Sequence, residues 1–405
     1  MVMKPMKALI SLEEGMRILL DAAKPIGRTE RVSLLQASGR VLAAPIVAAA
    51  DVPPFPRAAM DGYAVIAQDT FGAGNFNPVR LRLIEVVHAA DIAQGAVTSG
   101  TCIQVATGAP VPPGADAVVQ FEDTEAETEA GAVKVYTPVY PRQNISPRGR
   151  DIQAGQTVLG AGTRLDPSKI GVLAALGLTE IAVVAKPTVA VIPSGNEIVA
   201  PGEPLTPGTI YDINSYTLAA LIQDVGGAPR LFPIMKDTLE DVRRALRDAL
   251  ACDLVVLSGG SSVGERDVMV EAVESMGEIK FHGIAVKPGK PTLCGVIEGK
   301  LILGMPGYPT SCLTNGYGLL APALRKLAHL PAVQAGGVEL PMARRYTSTT
   351  GRHQYLPVRI EGGEVVPVFK ESGAITSMAD AEGYIEIPAN VDLVEKGERV
   401  LVKFF

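Results

Sequence analysis

Asp253-Leu254-Val255-Val256-Leu257-Ser258 runs straight into Gly259-Gly260-Ser261-Ser262-Val263-Gly264-Glu265-Arg266-Asp267. Four apolar residues in a row, without polar alternation, read as a strand buried on both faces, the pattern of a parallel sheet. The small residues that follow read as a loop leading into a helix. Twenty residues on, Lys287-Pro288-Gly289-Lys290-Pro291 sets two ammonium groups on a turn stiffened by proline. Strand, loop and turn together describe a cradle for a phosphate-like anion, with Asp267 as a carboxylate able to hold a hard cation.

The surrounding rhythm supports an open, mostly parallel α/β sheet with helices on both faces. Strand patterns at 188–192, 231–235, 254–258 and 279–286 alternate with helix patterns at 214–225, 238–250 and 267–276. A strand pair near 293–304 and a helix after Pro309 complete the unit, assigned to residues 187–329. Ligands bind such sheets beyond the carboxyl ends of the strands. Upstream, Ser11 and Glu14 form a capping box for a helix that stops before Pro25. That helix begins an elongated N-terminal helical and β unit of residues 1–47 plus 148–186. Short alternating segments between Gly and Pro mark 48–147 as an inserted small β domain. Residues 330–405 carry a hairpin signal at Glu361-Gly362-Gly363-Glu364 and read as a small all-β, barrel-like domain.

With 405 residues, 47% hydrophobic and 20% charged, the chain is expected to fold into several domains. A net charge of −6 argues against nucleic acid or an anionic membrane as the main partner, so any anion must be caught by a local basic cluster. Cys102, Cys252, Cys294 and Cys312 are scattered without CxxC spacing, which points to reduced thiols in a soluble, cytoplasmic protein.

Two strands of the α/β unit end alike, in Ser194-Gly195-Asn196-Glu197 and in Ser258-Gly259-Gly260. In a parallel sheet both loops lie on one edge. Glycine lets backbone N–H groups face an anion there, and serine adds hydroxyl donors. A turn after a strand is the plain reading of either loop alone; two in one sheet, with the lysines, favour a site. The insert offers Arg57 and Asp61 on a proline-stiffened loop, Thr107-Gly108 on another, and Arg148-Gly149-Arg150-Asp151. Four histidines show no zinc spacing, whereas Asp61, Asp151, Glu197, Asp237 and Asp267 suit Mg²⁺.

Assembled in order, several motifs resemble the molybdopterin molybdenumtransferase family, which includes MoeA and the gephyrin E domain. They are Met60-Asp61-Gly62-Tyr63, Thr107-Gly108-Ala109, Ser194-Gly195-Asn196-Glu197, Ser258-Gly259-Gly260, Ser262-Val263-Gly264, Lys287-Pro288-Gly289-Lys290-Pro291 and Pro306-Gly307. The resemblance covers essentially the whole chain. It implies a homodimer that inserts molybdate into adenylylated molybdopterin with Mg²⁺-dependent release of AMP, working beside other molybdenum-cofactor biosynthesis proteins. By the same resemblance Asp61, Thr107, Asp151, Glu197, Asp237 and Asp267 would line the cleft, with Glu197, Asp237 and Asp267 serving Mg²⁺. Lys287, Lys290, Ser311, Arg352 and Ser377 would hold molybdate and the pterin phosphate, beside Ser194, Gly195, Ser258, Gly259, Gly260, Ser262, Gly264, Pro288, Gly289, Pro306 and Gly307. The cleft would combine the α/β domain of one subunit with the insert of the other.

Three positions depart from the family pattern. Asn196 stands where an acid is frequent, leaving Glu197 to act; Ser261 stands where the residue is usually apolar; Tyr308 replaces a common Asn. The last keeps tungstate open as the oxyanion beside molybdate. A molybdopterin adenylyltransferase shares the α/β domain but lacks the flanking ones, and a gephyrin-like scaffold would call for a long linker that the sequence does not have.

Overall fold

The computed structural model describes residues 9–259, 268–332 and 336–405. It divides into two compact units, one of Ser33–Ser38 with Ala44–Ile181, the other of the chain up to Val32, Gly39–Ala43 and Ala182–Phe405.

Helix α1 (Leu12–Ala22) starts at Ser11, whose Oγ accepts the Glu14 N–H at 3.1 Å. Half of the expected capping box forms; the Glu14 carboxylate turns to Arg17 instead. The sequence texture grouped this helix with residues 148–186. Its apolar face packs into the α/β core, where Leu19 lies with Val189, Leu218 and Leu301.

The Ala44–Ile181 unit is built on a six-stranded mixed sheet of β1 (Gly62–Val65), β2 (Val79–Val87), β3 (Thr101–Val105), β4 (Ala117–Gln120), β5 (Thr124–Glu127) and β6 (Ala132–Val135). The order is β4-β1-β3-β2-β6-β5, with β2 and β3 parallel and the other neighbours antiparallel. Valine-rich inner faces bury Tyr63, Val119 and Val133 on one side and Ile103, Val105 and Val118 on the other. Helix α2 (Pro167–Ala175), capped by Asp166, follows.

The second unit contains the expected α/β sheet. Its elements in chain order are β7 (Thr188–Pro193), β8 (Ile198–Val199), β9 (Ile210–Tyr211), α3 (Asn214–Asp224), β10 (Ala228–Leu231), α4 (Leu239–Ala249) and β11 (Leu254–Ser258). Then come α5 (Val268–Met276), β12 (Glu278–His282), β13 (Val286–Lys287), β14 (Leu293–Ile297), β15 (Lys300–Met305), α6 (Pro309–Asn315) and α7 (Ala321–Leu327). The sheet order is β10-β7-β11-β15-β14-β12. The first four strands are parallel. The last two pairings are antiparallel: the Glu298-Gly299 turn folds β14 and β15 into a hairpin, and β12 pairs antiparallel with β14. Apolar clusters cover both faces, one with α1, α3 and α7, the other with α4 and α5. Every residue of β11 is buried, as the unbroken Leu-Val-Val-Leu run requires.

The C-terminal strands β16 (Gly337–Pro341), β17 (His353–Glu361), β18 (Glu364–Pro367), β19 (Gly383–Ile387) and β20 (Arg399–Phe404) form the all-β part. The sheet order is β13-β17-β19-β20-β16, with β18 paired to β17 through the expected Gly362-Gly363 turn. Strand β13 leaves the α/β region to pair in parallel with β17, Lys287 opposite Gln354.

Glu386 in β19 gives this part a pH dependence. Its carboxyl is held down at about 2, chiefly by His353 and then by Lys403, with burial opposing. Lys403 Nζ donates to Oε1 at 2.7 Å, and His353 Nε2 lies 3.6 Å from Oε2. A carboxyl depressed on folding contributes stability above its unfolded value near 4.5, and loses it as pH falls towards 2. Glu386→Gln should therefore cost about 2 kcal/mol in urea unfolding at pH 7 and progressively less below pH 4. A deficit unchanged at pH 3 would contradict this account.

Candidate functional site

The carboxyl ends of β7 and β11 meet as the matching Ser-Gly endings suggest. In-register pairing puts Pro193 beside Ser258, and the Ser194 N–H donates to Ser258 O at 2.8 Å. The next turn brings Gly259 against Ser194. A Cβ on Gly259 would stand 2.1 Å from Ser194 O, and the backbone there has φ +102°, so only glycine fits. Gly195 N–H donates to Met235 O at 3.3 Å, which brings the 235–237 segment to the same edge.

Ser194, Ser258 and Gly259 form part of the wall of a cavity of about 500 Å³. Glu197, Lys290, Pro306, Gly307, Tyr308 and Ser311 complete its polar and loop-built side. Ile198, Ile210, Tyr211, Ile213 and Pro309 supply apolar surface. The Ser194 Oγ is buried without a hydrogen-bond partner among the described residues, a donor held ready beside the Gly259 turn.

The two lysines separate. Lys290 reaches the cavity, and its ammonium has no ion-pair or hydrogen-bond partner among the described residues. Lys287, in β13, donates to Thr349 Oγ1 at 2.7 Å, in the loop that leads to half-buried Arg352. Between them the turn is clamped by Asn315, a buried residue of α6. Its Nδ2 donates to Gly289 O at 2.9 Å and Thr292 Oγ1 at 2.7 Å. A Cβ on Gly289, where φ is +108°, would sit 2.4 Å from that nitrogen. Pro288 is buried in the same turn.

Other expected site residues lie outside the cavity wall. Asp237, half-buried, lies two residues beyond Met235 and just before the Thr238 cap of α4. Ser377 is fully buried, and its Oγ accepts the Lys370 N–H at 2.9 Å. Asp61, Thr107 and Asp151 are exposed and belong to the other compact unit. There the β1–β3 pairing sets Gly62 opposite Val105, and the Thr107 N–H donates to Asp61 Oδ1 at 2.7 Å. The Asp151 N–H donates to Val52 O at 3.0 Å. Gly260, Ser262, Gly264 and Asp267, with the departure at Ser261, lie outside the described residues.

Among the described residues no three or more His, Cys, Asp or Glu side chains gather as a metal site. Glu197 and Asp237 are two carboxylates at one sheet edge. Such a pair suits Mg²⁺, which commonly takes one or two carboxylates plus substrate oxygens and water. The four cysteines are free and buried; burial pushes the Cys102 and Cys294 thiols up to about 12, so neither is a nucleophile.

Sequence reasoning missed Asn315, Asp212 and Asn214. Asp212 and Asn214 also line the cavity, and their only local signal was the polar pair flanking Ile213 at the start of α3.

Known proteins match this arrangement throughout. Residues 10–177 match the family described as MoeA N-terminal region (domain I and II), 190–326 a probable molybdopterin binding domain, and 339–405 the MoeA C-terminal region (domain IV). A putative molybdopterin biosynthesis protein of Methanocaldococcus jannaschii is 33% identical, over 98% of each chain. Molybdopterin molybdenumtransferase 2 of Mycobacterium tuberculosis is 34% identical, over 97% of this chain and 98% of its own. The crystal structure of the molybdopterin biosynthesis MoeA protein from Pyrococcus horikoshii OT3 superposes with a TM-score of 0.84 at 33% identity, covering 98% of this chain and 100% of that one. With all three regions matched in order and relatives aligned end to end, the chain belongs to the MoeA family of molybdopterin molybdenumtransferases, enzymes of molybdenum cofactor biosynthesis.

Proposed function

We propose that this protein inserts molybdate into adenylylated molybdopterin with release of AMP. The observation that carries the proposal is the cavity at the β7 and β11 ends, lined by Ser194, Ser258, Gly259 and Lys290, whose ammonium has no partner among the described residues. Hydroxyls and an ammonium suit a phosphate or a tetrahedral oxyanion. The apolar and aromatic wall suits a flat ring system attached to it. Glu197 and Asp237, with Asp267, would hold Mg²⁺, which when bound would polarise the adenylate phosphoryl group. Lys287 and Arg352 add positive charge near the Thr349 loop, and Ser311 adds a hydroxyl within the cavity. Asp61, Thr107 and Asp151 carry roles by family resemblance.

The test is to incubate the purified protein with adenylylated molybdopterin, Mg²⁺ and either molybdate or tungstate, following AMP and inserted metal. Insertion with AMP release is expected, and the comparison of the two oxyanions gives the preference. No AMP and no inserted metal with either would reject the proposal. The family resemblance adds a homodimer in the cytoplasm, which light scattering and fractionation check. No helix among the described residues is long and apolar enough to cross a membrane.

A further inference from the structure

Asp212 and Asn214 have no role in the reading so far, yet both line the cavity and both are buried, at 7% and 9% exposure. Asp212 Oδ1 accepts the Ser215 N–H at 3.1 Å, which helps to cap α3. The Asp212 backbone is fixed too, its N–H donating to Val199 O at 2.9 Å. Oδ2 has no hydrogen-bond partner among the described residues.

Asn214 donates from Nδ2 to Gly307 O at 2.9 Å. That bond decides which way round the amide lies, because only its NH₂ side can face a carbonyl. Oδ1 therefore points away from Gly307, where it is buried and has no partner among the described residues. Capping explains one Asp212 oxygen and the Gly307 bond explains one end of Asn214. Neither explains the two acceptors left over, and a buried acceptor without a donor, as Asn214 Oδ1 is among the described residues, is rare.

Elsewhere the same cavity carries donors, the Lys290 ammonium and the Ser194 and Ser258 hydroxyls. A ligand matching both chemistries has an anionic part and an edge bearing N–H groups. Tyr211 and Tyr308, 39% and 68% exposed, add aromatic surface on which a flat ring can lie.

We infer that Asp212 and Asn214 recognise the amino-bearing edge of the substrate's heterocycle, their free oxygens accepting its N–H groups. The inference rests on the molybdopterin reading and names residues that would select its ring system. A pterin offers a 2-amino group beside a ring N–H, and an adenine offers a 6-amino group. Both present donors where the cavity has spare acceptors.

Paired probes test this on the intact protein. The chain has no tryptophan, so pterin fluorescence can be followed without that overlap. 6-Hydroxymethylpterin is compared with 6-hydroxymethyllumazine, which carries oxygen in place of the 2-amino group. AMP is compared with IMP by calorimetry. The wild type should prefer the amino-bearing member of at least one pair by about tenfold or more, and the discriminating pair identifies the ring.

Asp212→Asn keeps a cap-competent side chain but swaps a carboxylate oxygen for an NH₂ donor. It should keep the unfolding temperature and erase or reverse the preference. Asp212→Ser, also cap-competent but shorter, should erase it as well. Equal wild-type affinities within both pairs would overturn the inference, as would an unchanged preference in the folded variants. Discrimination without any metal insertion would instead strike the proposed reaction and leave the recognition role standing.

Discussion

Lys290→Ala is expected to cut metal insertion and AMP release by on the order of 10²–10³-fold while leaving the unfolding transition in place. The expectation follows from where this lysine's interactions are absent. Its ammonium faces the cavity with no ion-pair or hydrogen-bond partner among the described residues, so truncation removes no contact that holds the fold. The turn keeps its shape through the backbone. Ile284 N–H and Thr292 N–H donate to Lys290 O at 3.1 and 2.9 Å, and Asn315 holds Gly289. What disappears is a positive charge aimed at a partly enclosed space, where it acts on an anion with less screening than at an open surface. Lys290→Arg should recover part of the activity, since the charge survives with altered shape. Lys287→Ala should behave differently, because its ammonium is bonded to Thr349 Oγ1 and the loss also loosens that loop. Single-turnover rates together with phosphate affinity separate the cases. A folded Lys290→Ala protein working within twofold of wild type would remove the ammonium from the mechanism.

That contrast shows where the sequence was legible. The apolar run at 254–257 sufficed for a central strand, since no other regular element buries four consecutive residues so readily at that length. Ser-Gly at two strand ends sufficed for a shared edge, because parallel pairing leaves little freedom once register is set. Spacing did not reveal that Lys287 and Lys290 part company. Strand β13 turns out of the α/β region to pair with β17, and only the tertiary path shows it. Helix α1 shows a similar limit: an apolar stripe states that a helix is buried, not which core buries it. Asn315 and Asn214 were invisible because an amide in a helix looks like any polar residue until its partners, Gly289 O and Gly307 O, are known.

Asp253 immediately precedes the strand that ends in the site, and its replacement by alanine should damage the fold more than any change in the cavity wall. Asp253 is 8% exposed. Arg28 Nη1 and Nη2 donate to its two oxygens at 2.7 and 2.9 Å. Thr188, at the start of the neighbouring strand β7, donates its N–H at 2.7 Å and its hydroxyl at 2.8 Å. Burial alone would raise the carboxyl's pKa, but the Arg28 and Thr188 bonds outweigh it, and the group lies below its usual value. Alanine would leave the Thr188 N–H and hydroxyl donors without their acceptor in a half-buried position. Arg28, whose side chain is 51% exposed, can return to water, so the loss falls short of a fully buried pair. About 2–4 kcal/mol is a reasonable size, or on the order of 5–10 °C in the melting of this unit. Asp253→Asn should lose less, because one amide oxygen still accepts from Thr188. The sign with pH is fixed by the depressed carboxyl: the penalty is full above pH 4 and shrinks as acid protonates the wild type. Arg28→Met should cost clearly less than Asp253→Ala, since it leaves Thr188 satisfied. Equal costs for the two would mean that the ion pair, not the Thr188 clamp, ties the amino ends of β7 and β11 together. Turnover per folded molecule should survive Asp253→Ala at 25 °C, because the Ser194 to Ser258 bond at the opposite end of the same strand pair still sets the cavity edge.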